Sequence, residues 1–235
     1  MYEFESRVRY SEVDSDSRLT FLGVLNYLQD CSTFQSEDMG VGIDYYREQH
    51  KAWVVNYWQV DLYEMPKLGT DITIGTIPYS IKGYLGYRNF YIKDRKTGKH
   101  YAMANSIWTL IDTDTIRPVR AGEDMLKAYE LSEKLPMEYV DRKRVTDMEG
   151  AVLKDPVPVL KHHLDTNHHV NNAQYVEIAL DYVPEGFNIR RMQAEYIKSA
   201  VLGDIMYPMV KASAGEVFVA LNDEKGKAYA RVTFS

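Results

Sequence analysis

The chain has 235 residues, 45% hydrophobic and 26% charged, with a net charge of −6; it is long enough for one large domain or two small ones around a sizeable core. The acidic balance argues against a nucleic-acid binder, whose surface is normally basic, and the single cysteine, Cys31, excludes an intrachain disulfide and any Cys/His zinc spacing. No apolar run approaches the roughly 20 residues that span a bilayer, and the opening MYEFESRVRYSEVD lacks the apolar core of a signal peptide, so the expectation is a cytoplasmic protein of a reducing compartment without membrane insertion.

Residues 20–39 place Phe21, Val24, Leu25, Leu28 and Cys31 at helical spacing, and Gly40 and Gly42 supply the stop. Residues 53–63 are aromatic and β-branched. A turn at Pro66-Lys67-Leu68-Gly69 leads to a strand over 71–77, where Ile72, Ile74 and Thr76 alternate. Further strands are predicted over 84–93 and 100–111, joined by the hairpin loop DRKTGK at 94–99. Residues 113–150 are charged and poor in β-branched side chains. They read as a connector, with one or two short helices over 123–135. The first pattern then returns. Residues 172–183 put Tyr175, Val176, Ala179 and Val183 on one helical face, ended by Pro184 and Gly186. Strands follow over 189–198, 205–212, 216–222 and 228–234. With aromatics at 12% and 19 tyrosines, the chain suits a β-rich protein with half-buried surfaces.

The two halves align. Val13-Asp14-Ser15-Asp16-Ser17-Arg18-Leu19 lies against Leu164-Asp165-Thr166-Asn167-His168-His169-Val170, and Lys67-Leu68-Gly69 against Val201-Leu202-Gly203. This is the mark of one supersecondary unit used twice, a helix plus an antiparallel sheet that buries its apolar stripe.

The segment LDTNHHVNN, 164–172, stands just before the second helix. Asp165, Asn167 and His169 alternate, so an extended backbone would put them on one face. An Asn amide offers a donor and an acceptor that could hold a carbonyl or a water. A His trades protons near neutral pH, and a nearby carboxylate orients its neighbours and stabilises positive charge on it. The free N–H groups of the following helix favour developing negative charge. Together these parts suit attack by water on an acyl carbonyl. The plainer reading of the same residues is a His-rich surface loop with Asn171 or Asn172 as N-cap. His162, His163, His168 and His169 also raise a metal site, but adjacent pairs would diverge on an extended chain and no carboxylate ligand set accompanies them.

In this context DTNHHVNNAQYVE is similar to the D-x-N-x-H-V-N-N-x-x-Y signature of the acyl-acyl carrier protein thioesterases, the plant type and its bacterial relatives. The resemblance extends to Glu12-Val13-Asp14 with Arg18-Leu19, to Leu25-Asn26-Tyr27-Leu28-Gln29, and to Trp108-Thr109-Leu110-Ile111-Asp112 followed by Arg117-Pro118-Val119. It covers nearly the whole chain. It implies an α+β tandem double hotdog, each unit a long helix wrapped by a curved antiparallel sheet: an N-terminal hotdog with a degenerate site (1–120), a connector (121–150) and a C-terminal hotdog carrying the active site (151–235). The implied activity is hydrolysis of a fatty-acyl thioester on acyl carrier protein to free fatty acid, with no cofactor or metal. An acyl-CoA thioesterase of the same fold, or an acyl-thioester binding protein with little hydrolysis, are the alternatives. A homodimer is compatible with the resemblance. By the resemblance, Asp165, Asn167 and His169 match the family's catalytic Asp, Asn and His.

One departure stands out. The family's stretch E-Y-x-x-E-[CA] supplies a carboxylate that activates water. Here it reads Glu195-Tyr196-Ile197-Lys198-Ser199-Ala200, so Ser199 takes the carboxylate position. A serine hydroxyl can hold a water but is a poor base. Glu195 would share a strand face with Ser199 but stand ~13 Å away. In the first unit Asp14-Ser15-Asp16-Ser17-Arg18 lacks the Asn and His and reads as capping. Trp53, Trp58 and Trp108 are expected in strands as core, with some lining an acyl tunnel. Cys31 is expected to pack inertly. Arg142-Lys143-Arg144, Lys161, Arg190 and Arg191 are candidate contacts for an acidic carrier protein.

Overall fold

A computed structural model describes residues 1–140 and 149–235; Arg142-Lys143-Arg144 lie outside the described residues. The chain forms two compact units, Met1–Asn56 with Val60–Glu138, and Tyr57–Gln59 with Tyr139–Ser235.

The first unit contains β1 (Tyr2–Arg7), a 3₁₀ turn (Tyr10–Glu12), α1 (Phe21–Asp38), α2 (Ile43–Glu48), β2 (Lys51–Leu62), β3 (Asp71–Lys82), β4 (Leu85–Asp94), β5 (His100–Asp112), β6 (Arg117–Pro118) and α3 (Glu123–Ala128). Its sheet runs β1-β3-β4-β5-β2, and β1, β3, β4 and β5 pair antiparallel. Helix α1 starts where the Thr20 hydroxyl accepts the Gly23 N–H at 3.0 Å, an N-cap that satisfies one orphan donor. Its stripe of Val24, Leu25, Leu28 and Cys31 is buried, and the Cys31 thiol donates to the Ile74 carbonyl of β3. Burial pushes that thiol up to about 12, so it packs rather than reacts.

Two elements of this unit go beyond the sequence expectation. Strand β1 alternates Tyr2, Phe4 and Ser6 with the more exposed Glu3, Glu5 and Arg7, a charged outer row that suits an edge strand. Strand β3 passes through Pro78 instead of stopping at Ile77: Pro78 stays opposite Arg88 of β4, a bulge follows at Tyr79, and β1 pairs with β3 only as far as Thr76, which leaves Pro78 at a sheet edge where a proline is tolerated. Helix α3, by contrast, is shorter than predicted. It ends at Ala128, where Tyr129 turns inward to join Val41, Tyr46, Leu110 and Met125. The Tyr129 hydroxyl lies 2.8 Å from Ser36 Oγ. The chain beyond it bonds to this same unit, Ser132 N–H to the Pro78 carbonyl and Leu135 N–H to Asn89 Oδ1.

The second unit contains β7 (Val152–Leu153), β8 (Val157–Pro158), a 3₁₀ turn (Lys161–His163), α4 (Asn172–Leu180), β9 (Arg191–Tyr196), β10 (Ile205–Ala212), β11 (Val217–Asn222) and β12 (Ala228–Phe234). Its sheet runs β9-β12-β11-β10-β7, antiparallel throughout. Helix α4 buries Ala173, Tyr175, Val176, Ile178 and Ala179. It stops at Leu180 rather than at residue 183, since Pro184 disfavours a helical Val183. Strand β9 ends at Tyr196, because the N–H groups of Ile197 and Lys198 both turn to the Tyr229 carbonyl.

Each unit is thus a helix packed on an antiparallel sheet, the α+β plan of the hotdog. Trp58 is buried, while Trp53 and Trp108 are half-buried. Among the described residues no helix is long and apolar enough to cross a membrane.

Candidate active site

The strongest sign of duplication is a turn that recurs before each helix. In the first unit Val13 bridges Leu19 and Arg18 bridges Lys67; in the second Leu164 bridges Val170 and His169 bridges Val201. The backbone bonds match one for one. Asp14 N–H donates to the Arg18 carbonyl and Asp165 N–H to the His169 carbonyl, both at 2.8 Å. Leu19 N–H reaches the Pro66 carbonyl and Val170 N–H the Ala200 carbonyl, both at 2.9 Å. Ser17 and His168 share a φ of 59°, and each turn hands over to an N-cap, Thr20 or Asn171.

The segment is therefore a tight turn, not the extended run that the alternation of Asp165, Asn167 and His169 suggests. The reason is local. Asp165 Oδ1 accepts the N–H groups of Asn167 at 2.8 Å and His169 at 3.3 Å, and such side-chain bonds compete with an extended backbone. Asp165 is partly buried. Asn167, His168 and His169 are exposed. Asn171 is the cap, its Oδ1 accepting from Ala173 N–H at 2.9 Å, so Asn172 is the first helical residue.

Ser199 is exposed and lies one residue before Ala200 and Val201, whose backbone pairs with Val170 and His169. The fold thus sets the Ser199 segment alongside the turn, although among the described residues no hydrogen bond links the side chains of Asn167, His169 and Ser199. Two tyrosines that the sequence reading does not assign hold this arrangement. Tyr175 Oη accepts Ala200 N–H at 2.8 Å, and Tyr196 Oη donates to the Asn172 carbonyl at 2.9 Å. Both phenols are raised, chiefly by burial, Tyr175 to about 12. The signal for Tyr175 was available: a tyrosine on a buried helix stripe needs a partner for its hydroxyl.

Glu195 sits in β9 with Arg231 Nη1 3.5 Å from its Oε2. His163 is buried, and its Nδ1 accepts Leu160 N–H at 3.1 Å. Its ring meets that of His162 edge to face at 4.2 Å. Among the described residues no group of three or more His, Cys, Asp or Glu side chains is placed to hold a metal ion.

The comparisons with known proteins cover both units. Residues 1–129 match the family model described as the acyl-ACP thioesterase N-terminal domain, and residues 148–230 that described as the C-terminal domain. The chain is similar to oleoyl-acyl carrier protein thioesterase 1 of Arabidopsis thaliana, 26% identical over 200 residues, covering 78% of this chain and 55% of the relative. It is 24% identical over 230 residues to the dodecanoyl-[acyl-carrier-protein] hydrolase of Cinnamomum camphora, covering 88% and 58%. The chain therefore spans little more than half the length of these chloroplastic relatives. Among solved structures it resembles an acyl-ACP thioesterase from Bacteroides thetaiotaomicron, with a TM-score of 0.88, 26% identity, and coverage of 99% of this chain and 96% of that one. The 12:0-ACP thioesterase from Umbellularia californica, 19% identical with a TM-score of 0.87 over 99% and 96% of the two chains, shares the fold. With family models matching the turn-bearing segments of both units, the chain belongs to the acyl-ACP thioesterase family.

Proposed function

We propose that the chain hydrolyses a fatty-acyl thioester carried on acyl carrier protein, releasing free fatty acid by direct attack of water at the turn Asp165–His169. One observation carries this reading. The same hydrogen-bonded turn stands in both units, yet only the second replaces Asp16 and Arg18 with Asn167 and His169. The scaffold is shared, so Asn167 and His169 are among the exposed side chains that the second copy adds.

On this reading the Asn167 amide donates to the thioester carbonyl oxygen. The N-terminal N–H groups of α4 oppose the charge that develops there. His169 takes a proton from water as its oxygen bonds to the carbonyl carbon, and returns it to the sulfur as the C–S bond breaks. Asp165 fixes the turn. Ser199 holds the attacking water through its hydroxyl. Lys161 and Arg190 are exposed and Arg191 is half-buried at the start of β9; the first two are the more available to an acidic carrier protein. A cytoplasmic location accompanies the reading, and it admits a homodimer, which sedimentation of the purified chain would test.

The test is turnover of acyl-carrier-protein and acyl-CoA thioesters over a range of chain lengths. Release of free acid, faster from the carrier protein, supports the proposal. No release from either at any length sinks it. A second reading, an acyl-thioester binding protein with little hydrolysis, is favoured by Ser199 at the family's carboxylate position with Glu195 drawn to Arg231. Tight binding of acyl carrier protein with no product over hours would select it.

A further inference from the structure

The match between the two turns extends to the chain around them. Val8 N–H donates to the Thr70 carbonyl and Val159 N–H to the Asp204 carbonyl, while Gly69 and Gly203 direct their N–H groups to the carbonyls of Val8 and Val159. Glu12 N–H reaches the Arg9 carbonyl and His163 N–H the Leu160 carbonyl. Strands β3 and β10 then start at Asp71 and Ile205, opposite Arg7 and Pro158. Arg9, Lys67 and Asp71 of the first unit thus answer to Leu160, Val201 and Ile205 of the second, and Leu68 answers to Leu202.

Three charged positions on one copy are therefore apolar on the other. Arg7 Nε lies 3.8 Å from Asp71 Oδ1, where the second unit sets Pro158 against Ile205. Leu160, Val201, Leu202 and Ile205 are 42–51% exposed, and they adjoin one another. Leu160 is extended and stands two residues beyond Pro158, so it shares the outward face of Pro158 and Ile205; Val159 and Met206 take the buried face. Continuing the register sets Gly203 opposite Leu160, and a Cβ added at Gly203 would meet nothing within 4 Å. Leu202 precedes that glycine, and Val201 bridges His169.

The charge around the two turns differs as well. Over 160–170 and 197–205 no exposed residue is acidic. Asp165 is partly buried and holds the turn; Asp204 is partly buried, its Oδ2 accepting Val201 N–H at 3.1 Å. The exposed ionisable groups there are Lys161, His162, His168, His169 and Lys198. Among the described residues Lys198 pairs with Asp223, and Lys161 has no acidic partner. The matching stretches of the first unit, 9–19 and 63–71, expose Asp14, Asp16 and Glu64. A chain of net charge −6 repels an acidic partner as a whole, so such a partner approaches where exposed carboxylates are missing. An apolar centre with a polar, charged rim is also the make-up of a protein interface.

We propose that Leu160, Val201, Leu202 and Ile205, with Lys161 beside them, form the surface on which an acidic acyl carrier protein docks to bring its thioester to the turn Asp165–His169. The choice of partner rests on the hydrolase reading. The surface itself rests on the contrast between the two copies, and on the backbone bridge that ties Val201 to His169.

The test is calorimetric binding of the full chain to an acyl carrier protein whose arm ends in a dodecanoyl amide, a linkage that resists hydrolysis and so separates docking from turnover. Wild type is expected to bind, more weakly as salt is added. Leu202→Asp and Lys161→Glu are each expected to weaken binding about tenfold or more, the scale of a central interface side chain. Leu68→Asp, at the same position of the first unit, is expected to leave it unchanged. Unchanged affinity in both Leu202→Asp and Lys161→Glu, or an equal loss in Leu68→Asp, overturns the surface. Should Leu202→Asp fail to fold, Lys161→Glu decides alone. No binding by wild type also overturns the surface, and release of free acid from acyl-CoA by the same protein then shows whether the hydrolase reading stands without it. If Leu202→Asp keeps its carrier affinity but splits a wild-type dimer in sedimentation, or loses wild-type binding to phosphatidylglycerol vesicles, the face belongs to a second copy or to lipid and the proposal falls.

Discussion

Asp14 and Asp165 do the same thing in different units. Asp14 Oδ1 accepts the N–H groups of Asp16 and Arg18, both at 2.9 Å, and Asp165 Oδ1 accepts those of Asn167 and His169. The carboxylate thus holds a turn that itself has no Asn or His to serve, so holding the turn is its common task. Asp165→Ala is expected to lose about 1–2 kcal/mol of stability, as for a lost cap, and to lose turnover with it. Asp14→Ala is expected to lose similar stability while keeping turnover per folded molecule. Asp165→Asn keeps an acceptor oxygen and is expected to stay near wild-type stability. Denaturant unfolding alongside a thioester assay reads all three.

Asn167 and His169 add no hydrogen bond to the turn through their side chains, and both are exposed. Truncating them is therefore expected to leave stability within about 0.5 kcal/mol, as at ordinary surface positions. Turnover is expected to fall by about 10²–10⁴-fold for His169→Ala, the usual worth of a positioned acid–base, and strongly for Asn167→Ala. Wild-type rates in both variants would remove these roles from the proposed mechanism.

The duplication and most strands could be read directly, because alternation and helical spacing survive in the side chains. The strand 205–212 and the helix beginning near residue 21 show this well. What escaped is set by tertiary bonds. The end of α3 depends on Tyr129 finding Ser36 across the first unit, and β3 runs through Pro78 where β1 no longer pairs with it, with the bulge falling on Tyr79. In the candidate site the residues were legible but their backbone was not. Alternating polar positions resemble a strand, whereas an Asp that bonds to N–H groups two and four residues ahead makes a turn.

Tyr175 joins α4 to the chain that carries Ser199, through its bond to Ala200 N–H. The same Ala200 receives Val170 N–H at its carbonyl, so one phenol secures the register between the two segments of the candidate site. Tyr175→Phe leaves a buried N–H without its acceptor and is expected to cost about 1–3 kcal/mol. Turnover is expected to fall more than thioester affinity, because the change loosens the placement of reacting groups. Unfolding curves and a comparison of kcat with KM check both parts.

Ser199 is exposed beside the turn, so a longer side chain there meets no packed neighbour. Ser199→Glu would return a carboxylate to the position where the family places one. An added general base is worth about 10²–10⁴-fold at best, and a gain of about tenfold or more is the expected outcome. Ser199→Ala removes the hydroxyl proposed to hold the attacking water and is expected to lower the rate. A glutamate variant no faster than wild type would show that water is activated by another route.

His163 ties the start of the second turn to pH. It is buried, and its Nδ1 must be unprotonated to accept Leu160 N–H at 3.1 Å. Burial lowers its pKa from 6.5, and the charge of neighbouring His162 lowers it further. The folded state therefore binds fewer protons than the unfolded state below the unfolded value. Stability rises with pH wherever the unfolded state holds more protons. The contribution is thus fully present above about 6.5 and is lost as pH falls below that value toward the folded pKa. The first unit has Glu12 in the same place, its Oε2 accepting Arg9 N–H at 2.9 Å, so an amide oxygen on a side chain of that length can fill the role without titrating. His163→Gln is expected to keep most of the stability at pH 7.5 and to flatten its decline between pH 7 and pH 5. Denaturant midpoints at a series of pH values measure this, and an unchanged slope in the variant would assign the acid sensitivity to other groups.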